Sequence, residues 1–194
     1  MTTPTTDHDH LAVFARRADR FTEILDAVDG SWEVPTPCEG WSARDVVAHV
    51  IETERDFLER QDLDPGPSHD VSDPPAAWRA HHRQVTAALD ADGVAERGYD
   101  GYFGPTTIGA TMADFYGWDL VVHGGDIARA TGQDWSVSDE EAAALHAAAD
   151  TWGDALHSEG VCGPALAVAD DASATDRLLA RLGRDPRWTP PTTG

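Results

Sequence analysis

Apolar residues recur at alternating steps of three and four along most of the chain, which is the spacing of amphipathic helices. The pattern predicts helices over about 8–29, 43–60, 74–89, 107–130, 139–156 and 174–182. No segment alternates convincingly as a half-buried strand does. Segments 61–73 and 91–105 are expected to be loops, and the first is long enough for a crossover. We therefore expect an all-α protein, an antiparallel helical bundle with the first four helices as its main body.

Residues at the helix boundaries support this reading. Ser42 and Asp45 have the spacing of a capping box, in which each side chain accepts a hydrogen bond from the other residue's backbone N–H. Asp73 before a proline is typical of a helix start, and Ser138 opens a second capping box. These signals predict where the second, third and fifth helices begin.

The fourth predicted helix carries polar residues on its apolar face. Stepping from Ile108 at about 100° per residue gives one apolar stripe, made of Ile108, Met112, Phe115, Val122 and Ala130. Asp119, His123 and Asp126 fall inside this stripe. Burying two carboxylates and an imidazole is costly unless they have partners. A bound metal ion is one partner that satisfies all three.

Spacing points to a particular set of metal ligands. Asp119 and His123 are four residues apart, so both side chains leave one side of the helix. His49, on the flank of the second helix's apolar face, is the natural third ligand if these two helices face each other. Two His and one carboxylate describe an open, catalytic type of Zn²⁺ site or a non-haem Fe(II) triad, and Ni(II) and Mn(II) remain open. The alternatives without metal are a buried Asp–His hydrogen bond and an ion pair with Arg129.

Asp126, one turn beyond His123, has three candidate roles. It is a fourth ligand, an acceptor for the N–H of a ligand imidazole, or a general base and so a catalytic residue; the last two are favoured. The neighbouring Gly124 and Gly125 each cost roughly 1 kcal/mol relative to Ala inside a helix. A close neighbouring helix, a bend beside the site or a kink without function accounts for them equally well.

Other side chains are weaker candidates. Arg44 and Arg129 either bind a carboxylate of the substrate or form surface ion pairs. Trp41 and Tyr102 either wall a binding pocket or pack in the core. Cys38 precedes the second helix, whose N-terminus favours a reactive thiolate, but an adjacent carboxylate opposes this and a structural cysteine is expected.

Composition narrows the classes of partner. The 194 residues fit a single domain over 1–194, with an ordered core of about 8–186. A net charge of −21, with no Lys, repels phosphate backbones and anionic lipid, so neither a nucleic acid nor a membrane is an expected partner. No signal peptide is recognisable, and a cytoplasmic protein is expected.

Three further expectations concern single features of the chain. His81 and His82 are expected at a surface edge of the third helix. The two cysteines indicate no disulfide framework. An exposed face of the fifth helix is compatible with a homodimer.

Two stretches carry a family resemblance. PCEGWSARDVVAH, from Pro37 to His49, and DLVVHGGDIARA, from Asp119 to Ala130, resemble the DinB/YfiT-like metal-binding superfamily. Within it they resemble the group related to the N-terminal domain of mycothiol-dependent maleylpyruvate isomerase. The resemblance implies a DinB-like antiparallel four-helix bundle, here with one or two additional C-terminal helices.

The resemblance also implies a site and a chemistry. The family's ligands correspond here to His49, Asp119 and His123, and they bind a divalent metal, usually Zn or Ni. Asp119 stands where relatives carry Glu or His, which are longer. The implied function is metal-dependent activation of a low-molecular-weight thiol such as mycothiol, by an S-transferase or isomerase acting on an electrophilic substrate. The alternative is a non-catalytic metal- or small-molecule-binding protein of the same fold.

Overall fold

The computed structural model describes residues 7–158 and 161–191. The described chain is mostly helical, as predicted, with a small two-stranded sheet. The α-helices are α1 (Asp7–Asp26), α2 (Ala43–Arg60), α3 (Pro74–Leu89), α4 (Ile108–Thr111), α5 (Gly117–Ala130), α6 (Asp139–Trp152) and α7 (Ala174–Arg181). A π-helical turn (Met112–Tyr116) joins α4 to α5, and a 3₁₀ turn (Gly153–His157) follows α6. Within the described ranges no helix is long and apolar enough to cross a membrane.

Side-chain caps fix the starts of three helices where the sequence predicts them. Ser42 accepts a hydrogen bond from the N–H of Asp45, and the Asp45 carboxylate accepts one from the N–H of Ser42 at 2.8 Å. Asp73 caps α3 and Ser138 caps α6 in the same manner, through their side-chain oxygens. The cap on α2 fixes the start of the helix that carries His49.

Four helices share the main apolar core. α1 packs against α3 and α5, and α2 also packs against α3 and α5. Phe21 of α1 meets Trp78 of α3 edge to face, with ring centroids 4.9 Å apart. Contact between α2 and α5 is the condition under which His49 can approach the polar residues of α5.

A second apolar core joins α5 to the C-terminal helices. Trp118 and Val122 of α5 belong to one cluster with Leu145 of α6 and Leu178 of α7. The indole N–H of Trp118 donates to the Leu145 carbonyl at 3.0 Å. Because α5 contributes to both cores, nearly all of its side chains are buried, and any polar side chain on it needs a partner.

A β-hairpin lies in and just beyond the segment 91–105, which was expected to be a loop. β1 (Gly98–Gly101) pairs antiparallel with β2 (Gly104–Thr107), with Gly98 opposite Thr107. The expectation of no strands is wrong here. Four-residue strands that contain three glycines between them give no alternating apolar pattern to detect.

The π-helical turn changes which side chains face the core. Its hydrogen bonds close over five residues instead of four, so a constant step of 100° fails across Met112–Tyr116. Phe115 is consequently 42% exposed, and its predicted place in the buried stripe is wrong, whereas Ile108 before the turn is buried. Beyond the turn, His123 and Asp126 are buried as predicted.

Candidate metal centre

Helix α5 brings Asp119 and His123 together. The two residues lie one turn apart on the same side of the helix. The Nε2 atom of His123 is 3.3 Å from an Oδ1 atom of Asp119. His123 is buried, whereas the Asp119 side chain retains 23% of its exposure. This end of the pair therefore opens toward the surface.

His49 of α2 completes a three-residue group. One donor atom from each of His49, Asp119 and His123 lies within 4.8 Å of the others. The two imidazole rings meet edge to face, with centroids 5.3 Å apart. Trp41 packs against both rings, at 4.7 Å from His49 and 6.2 Å from His123. The structure thus assembles the three predicted ligands and places the predicted pocket residue Trp41 beside them.

Asp126 determines which nitrogen of His123 faces this group. An Asp126 oxygen lies 3.1 Å from Nδ1 of His123. An ionised carboxylate can only accept, so Nδ1 carries the hydrogen and donates it. In the neutral ring, Nε2 is then an unprotonated donor atom directed toward Asp119, which is the form that a metal ligand requires.

The charge of Asp126 is balanced by Arg184. Nε and Nη2 of Arg184 donate to the two Asp126 oxygens, each at 2.8 Å, and both side chains are buried. Burial alone raises the pKa of Asp126, but the Arg184 charge and hydrogen bonds from His123 and Arg184 outweigh it and hold that pKa well below its ordinary value. The paired guanidinium in turn has a raised pKa, although burial acts against it. Asp126 is therefore an ionised, fully engaged acceptor.

The surrounding charges hold His123 in an environment that favours its protonated form. Burial lowers the pKa of His123, but the Asp119 charge and hydrogen bonding to Asp126 and Cys38 raise it well above its ordinary value. Burial lowers the pKa of His49, with the Asp119 charge acting in the opposite direction. An imidazole must be neutral to bind a metal, so a metal would have to displace the proton from His123.

Arg184 was not a predicted site residue and Cys38 was expected to be structural, and both form a second polar cluster with Asp126. The Cys38 thiol donates to Asp126 at 3.1 Å and accepts from Nη2 of Arg184 at 3.3 Å. Cys38, His123 and Asp126 also have donor atoms close enough to hold a cation. That place already contains a positive charge, because the guanidinium of Arg184 bonds both Asp126 oxygens.

No local pattern could have revealed Arg184. It lies beyond α7, 58 residues after Asp126. A single Arg after a predicted helix end has no periodicity that would link it to a distant carboxylate. Cys38 lies in the stretch Pro37–His49 that carries the family resemblance. The sequence therefore placed it just before α2 but did not indicate its contacts with Asp126 and Arg184.

The remaining predicted binding residues make their contacts elsewhere. Arg44 forms an ion pair with Glu33 at 2.6 Å and donates to a backbone carbonyl. Arg129 donates to three carbonyls in the segment 185–188. Tyr102 lies in the turn of the hairpin and is 89% exposed. None of these described contacts joins the His49–Asp119–His123 group.

A buried pair joins α2 to α3 and corrects another expectation. His81 is completely buried, not at a surface edge, and its Nε2 is 2.9 Å from an oxygen of the equally buried Glu54. Burial raises the pKa of Glu54, the hydrogen bond and charge of His81 oppose that rise, and the Asp119 charge adds to it. His82 stacks on the Trp78 ring, with centroids 5.3 Å apart. The pattern missed His81 because Glu54, its partner, is on another helix.

The donor set fits a divalent metal ion. Two imidazoles and one carboxylate, with a side left open, match the ligands of catalytic zinc sites and of several transition metals. A pocket lined by Gly40, Trp41, Asp45, Ala48, His49 and Glu52 adjoins the group. The fold and this group define a helical protein with a candidate divalent-metal centre between α2 and α5.

Comparison with known families assigns the chain more closely. A family model described as the mycothiol maleylpyruvate isomerase N-terminal domain matches residues 11–128. The chain belongs to this family, which is a metal-binding branch of the DinB-like superfamily, and the predicted resemblance is confirmed. No curated protein and no solved structure matches the chain. The matched region contains Cys38, His49, Asp119, His123 and Asp126, whereas Arg184 lies beyond it.

Proposed function

We propose that this protein binds one divalent metal ion, most readily Zn²⁺, through His49, Asp119 and His123, and uses it to activate a low-molecular-weight thiol of the mycothiol type. The reaction class is S-transfer to an electrophile or thiol-dependent isomerisation. The observation that carries the proposal is the convergence of the three donor groups from α2 and α5 within 4.8 Å. In this reading the chain is a single domain whose four packed helices, α1, α2, α3 and α5, form a DinB-like antiparallel bundle, extended by the C-terminal helices.

The surrounding residues would hold the ligands in position. Asp126 accepts from Nδ1 of His123 and so directs Nε2 toward the metal position. Arg184 fixes both oxygens of Asp126. Trp41 covers the rings of His49 and His123 on one side, which limits access of water. These contacts favour a positioning role for Asp126 over the role of general base, because its depressed pKa makes it a poor proton acceptor.

The metal would supply a positive charge that lowers the pKa of a bound thiol, so that the thiolate exists near neutral pH. The thiol proton would pass to solvent on the open side, beside Asp119, whose side chain is 23% exposed. The thiolate sulfur would form a bond to an electrophilic carbon while a leaving group departs with its bonding electrons, or while a π bond at that carbon opens and its electrons move to the neighbouring atom. The shape and charge of the pocket decide which electrophile approaches.

The pocket favours a neutral or cationic substrate. Besides His49, its lining includes two carboxylates, Asp45 and Glu52, and no Arg. Arg44, which precedes the lining residue Asp45 in the sequence, forms an ion pair with Glu33 instead. The metal would itself attract one anionic group, but further carboxylates on a substrate would meet like charges at Asp45 and Glu52, and like charges at close range cost free energy. A neutral thiol and a neutral electrophile therefore fit this site better than a dicarboxylate.

The activity is tested with Zn²⁺-loaded protein, mycothiol and the neutral electrophile 1-chloro-2,4-dinitrobenzene, in which a C–S bond replaces the C–Cl bond. We expect product to form faster than in the thiol-only reaction, and we expect His49→Ala and His123→Ala to fall back to that background. His69→Ala, which removes an imidazole bonded to Gln84, is the matched control and should retain the wild-type rate. Equal rates for the wild type and both ligand variants would contradict a catalytic role of the metal.

A second candidate function is metal or small-molecule binding without turnover. The full engagement of Asp126 by Arg184 favours it, because the predicted general base is then occupied. This function predicts one bound metal per chain and no acceleration with any thiol and electrophile pair.

Nucleic acids and membranes remain unexpected partners of the protein under either function, because of the net charge of −21. The homodimer remains a prediction.

A further inference from the structure

The pocket beside the metal centre is formed by α2 and the loop that precedes it. Its volume is about 430 Å³, which is enough for a small organic molecule. Asp45, His49 and Glu52 are four and three residues apart on α2, so their side chains leave the same side of the helix. The loop supplies Gly40 and Trp41 to the same pocket. A ligand in the pocket therefore lies beside His49, between an indole ring and carboxylates.

Trp41 is a fixed wall of this pocket. Its carbonyl accepts from the backbone N–H of Thr36 at 2.9 Å and from the Thr36 hydroxyl at 3.0 Å. Its ring packs against the rings of His49 and His123 and remains partly exposed. In the described chain, guanidinium groups lie over two other indole rings and not over that of Trp41. The face of an indole ring attracts cations, so Trp41 can contribute to binding a positively charged ligand.

Glu52 is the carboxylate of the pocket whose charge is available to a ligand. Asp45 is engaged at the start of α2, where its Oδ2 atom accepts from the N–H and the hydroxyl of Ser42. Arg55, one turn beyond Glu52, donates instead to carbonyls of the segment 65–67. Among the described residues, no hydrogen bond or ion pair engages the exposed Glu52 carboxylate.

We propose that this pocket selects a substrate that carries a fixed positive charge, held between Glu52 and the ring of Trp41 while the reactive part of the substrate lies at the metal centre. The proposal rests on the proposed function and deepens it by naming the substrate class, an organic ammonium compound. Glu52 lies one turn, about 5 Å along the helix, from His49. The ammonium group is thereby kept apart from the charge of the metal ion.

The inference is tested with two probes of the same shape, choline and 3,3-dimethylbutan-1-ol, of which only choline is charged. Binding to the full chain is followed through the indole N–H resonance of Trp41, which is identified by its absence from the spectrum of Trp41→Phe. We expect choline to shift this resonance and to bind about three- to tenfold more tightly than the neutral probe. Glu52→Gln should lose most of this preference. Glu59→Gln, which removes an exposed carboxylate of the same helix outside the pocket, should keep it.

Three results would overturn the inference: a Trp41 resonance that choline does not shift, equal affinities of the two probes for the wild type, or a preference that Glu52→Gln retains. An equal loss of preference in Glu52→Gln and Glu59→Gln would also overturn it, because the acidic surface as a whole would then attract the cation. The titrations are made without metal and again with Zn²⁺, so they do not depend on turnover. A charge preference without thiol activity supports this inference and contradicts the proposed activity, whereas thiol activity without a charge preference contradicts this inference alone.

Discussion

Asp126 is the residue on which the interior of the site depends. It has no exposed surface, and it accepts hydrogen bonds from Arg184, His123 and Cys38. A buried carboxylate with one partner removed retains its desolvation cost and loses its compensation. The position of His123 is therefore tied to an Arg that lies far away in the sequence.

Replacing Arg184 tests this dependence. Arg184→Met should lower the free energy of unfolding by about 3–5 kcal/mol, because it leaves the buried Asp126 charge unpaired. Urea denaturation measures the change. The control is Arg187→Met, whose side chain is 91% exposed beside Asp185 and should leave stability unchanged. Equal stability of the two variants would show that Arg184 does not compensate Asp126.

Glu54 gives a pH-dependent prediction. Its pKa is raised, chiefly by burial, so the folded protein retains a proton that the unfolded chain releases above about pH 4.3. The stability linked to this group is therefore complete below that pH and falls as pH rises toward the folded pKa. Glu54→Gln keeps a hydrogen-bonding partner for His81 and removes the ionisation.

The measurement is urea unfolding of the wild type and Glu54→Gln between about pH 5 and about pH 8. The difference in stability should move in favour of the variant as pH rises. Glu59→Gln alters an exposed side chain of the same helix and should follow the wild-type profile. Parallel curves for Glu54→Gln and the wild type would mean that Glu54 ionises normally in the folded protein.

At this scale the sequence predicts residues that share one helix better than residues that meet across helices. Asp119, His123 and Asp126 were identifiable because helical spacing alone places them on one face. His49 required the assumption that α2 faces α5, which the packing supports. The Glu54–His81 pair and the Arg184 contact depend on tertiary approach, which no local spacing encodes.

Among the elements, α5 has the most constrained surface. Gly124 and Gly125 lie against neighbouring side chains, so close packing accounts for two residues that otherwise weaken a helix. A Cβ at Gly125 would lie 2.8 Å from the Trp135 ring, and one at Gly124 would lie 3.0 Å from the tip of Ile24. The two positions differ in how easily the neighbour can move.

This difference predicts unequal effects of adding a methyl group. Gly125→Ala should destabilise the protein by about 1–3 kcal/mol, because an indole ring must shift. Gly124→Ala should stay within about 1 kcal/mol of the wild type, since the end of Ile24 can rotate and Ala favours the helix. Thermal unfolding compares the two variants directly. A larger loss for Gly124→Ala would reverse this account of the packing.

The elements that the pattern misses have definite physical causes. The hairpin strands are too short and too rich in glycine to show an alternating pattern. The π-helical turn interrupts the constant step of 100° per residue, and this interruption leaves Phe115 exposed. The long helices were predictable because their caps and apolar faces are local properties. α2 begins at Ala43 and ends at Arg60 as expected.

For the whole molecule, the site depends on both cores. α2 and α5 carry the three donor residues in the four-helix core, while the segment after α7 contributes Arg184 from the C-terminal core. The family match ends at residue 128, so this chain adds a contribution from outside the matched region. Metal binding should consequently stabilise the molecule as a whole, because an ion that binds only the folded state shifts the unfolding equilibrium.

The most direct test of the central claim is a Zn²⁺ titration of the full chain in competition with a chromophoric chelator. The account predicts one Zn²⁺ per wild-type chain, the same affinity for the His69→Ala control, and an affinity for His123→Ala lower by more than about a hundredfold, beyond the loss typical of residues that only orient a ligand. Equal Zn²⁺ affinities for the wild type and His123→Ala would contradict a metal centre formed by His49, Asp119 and His123.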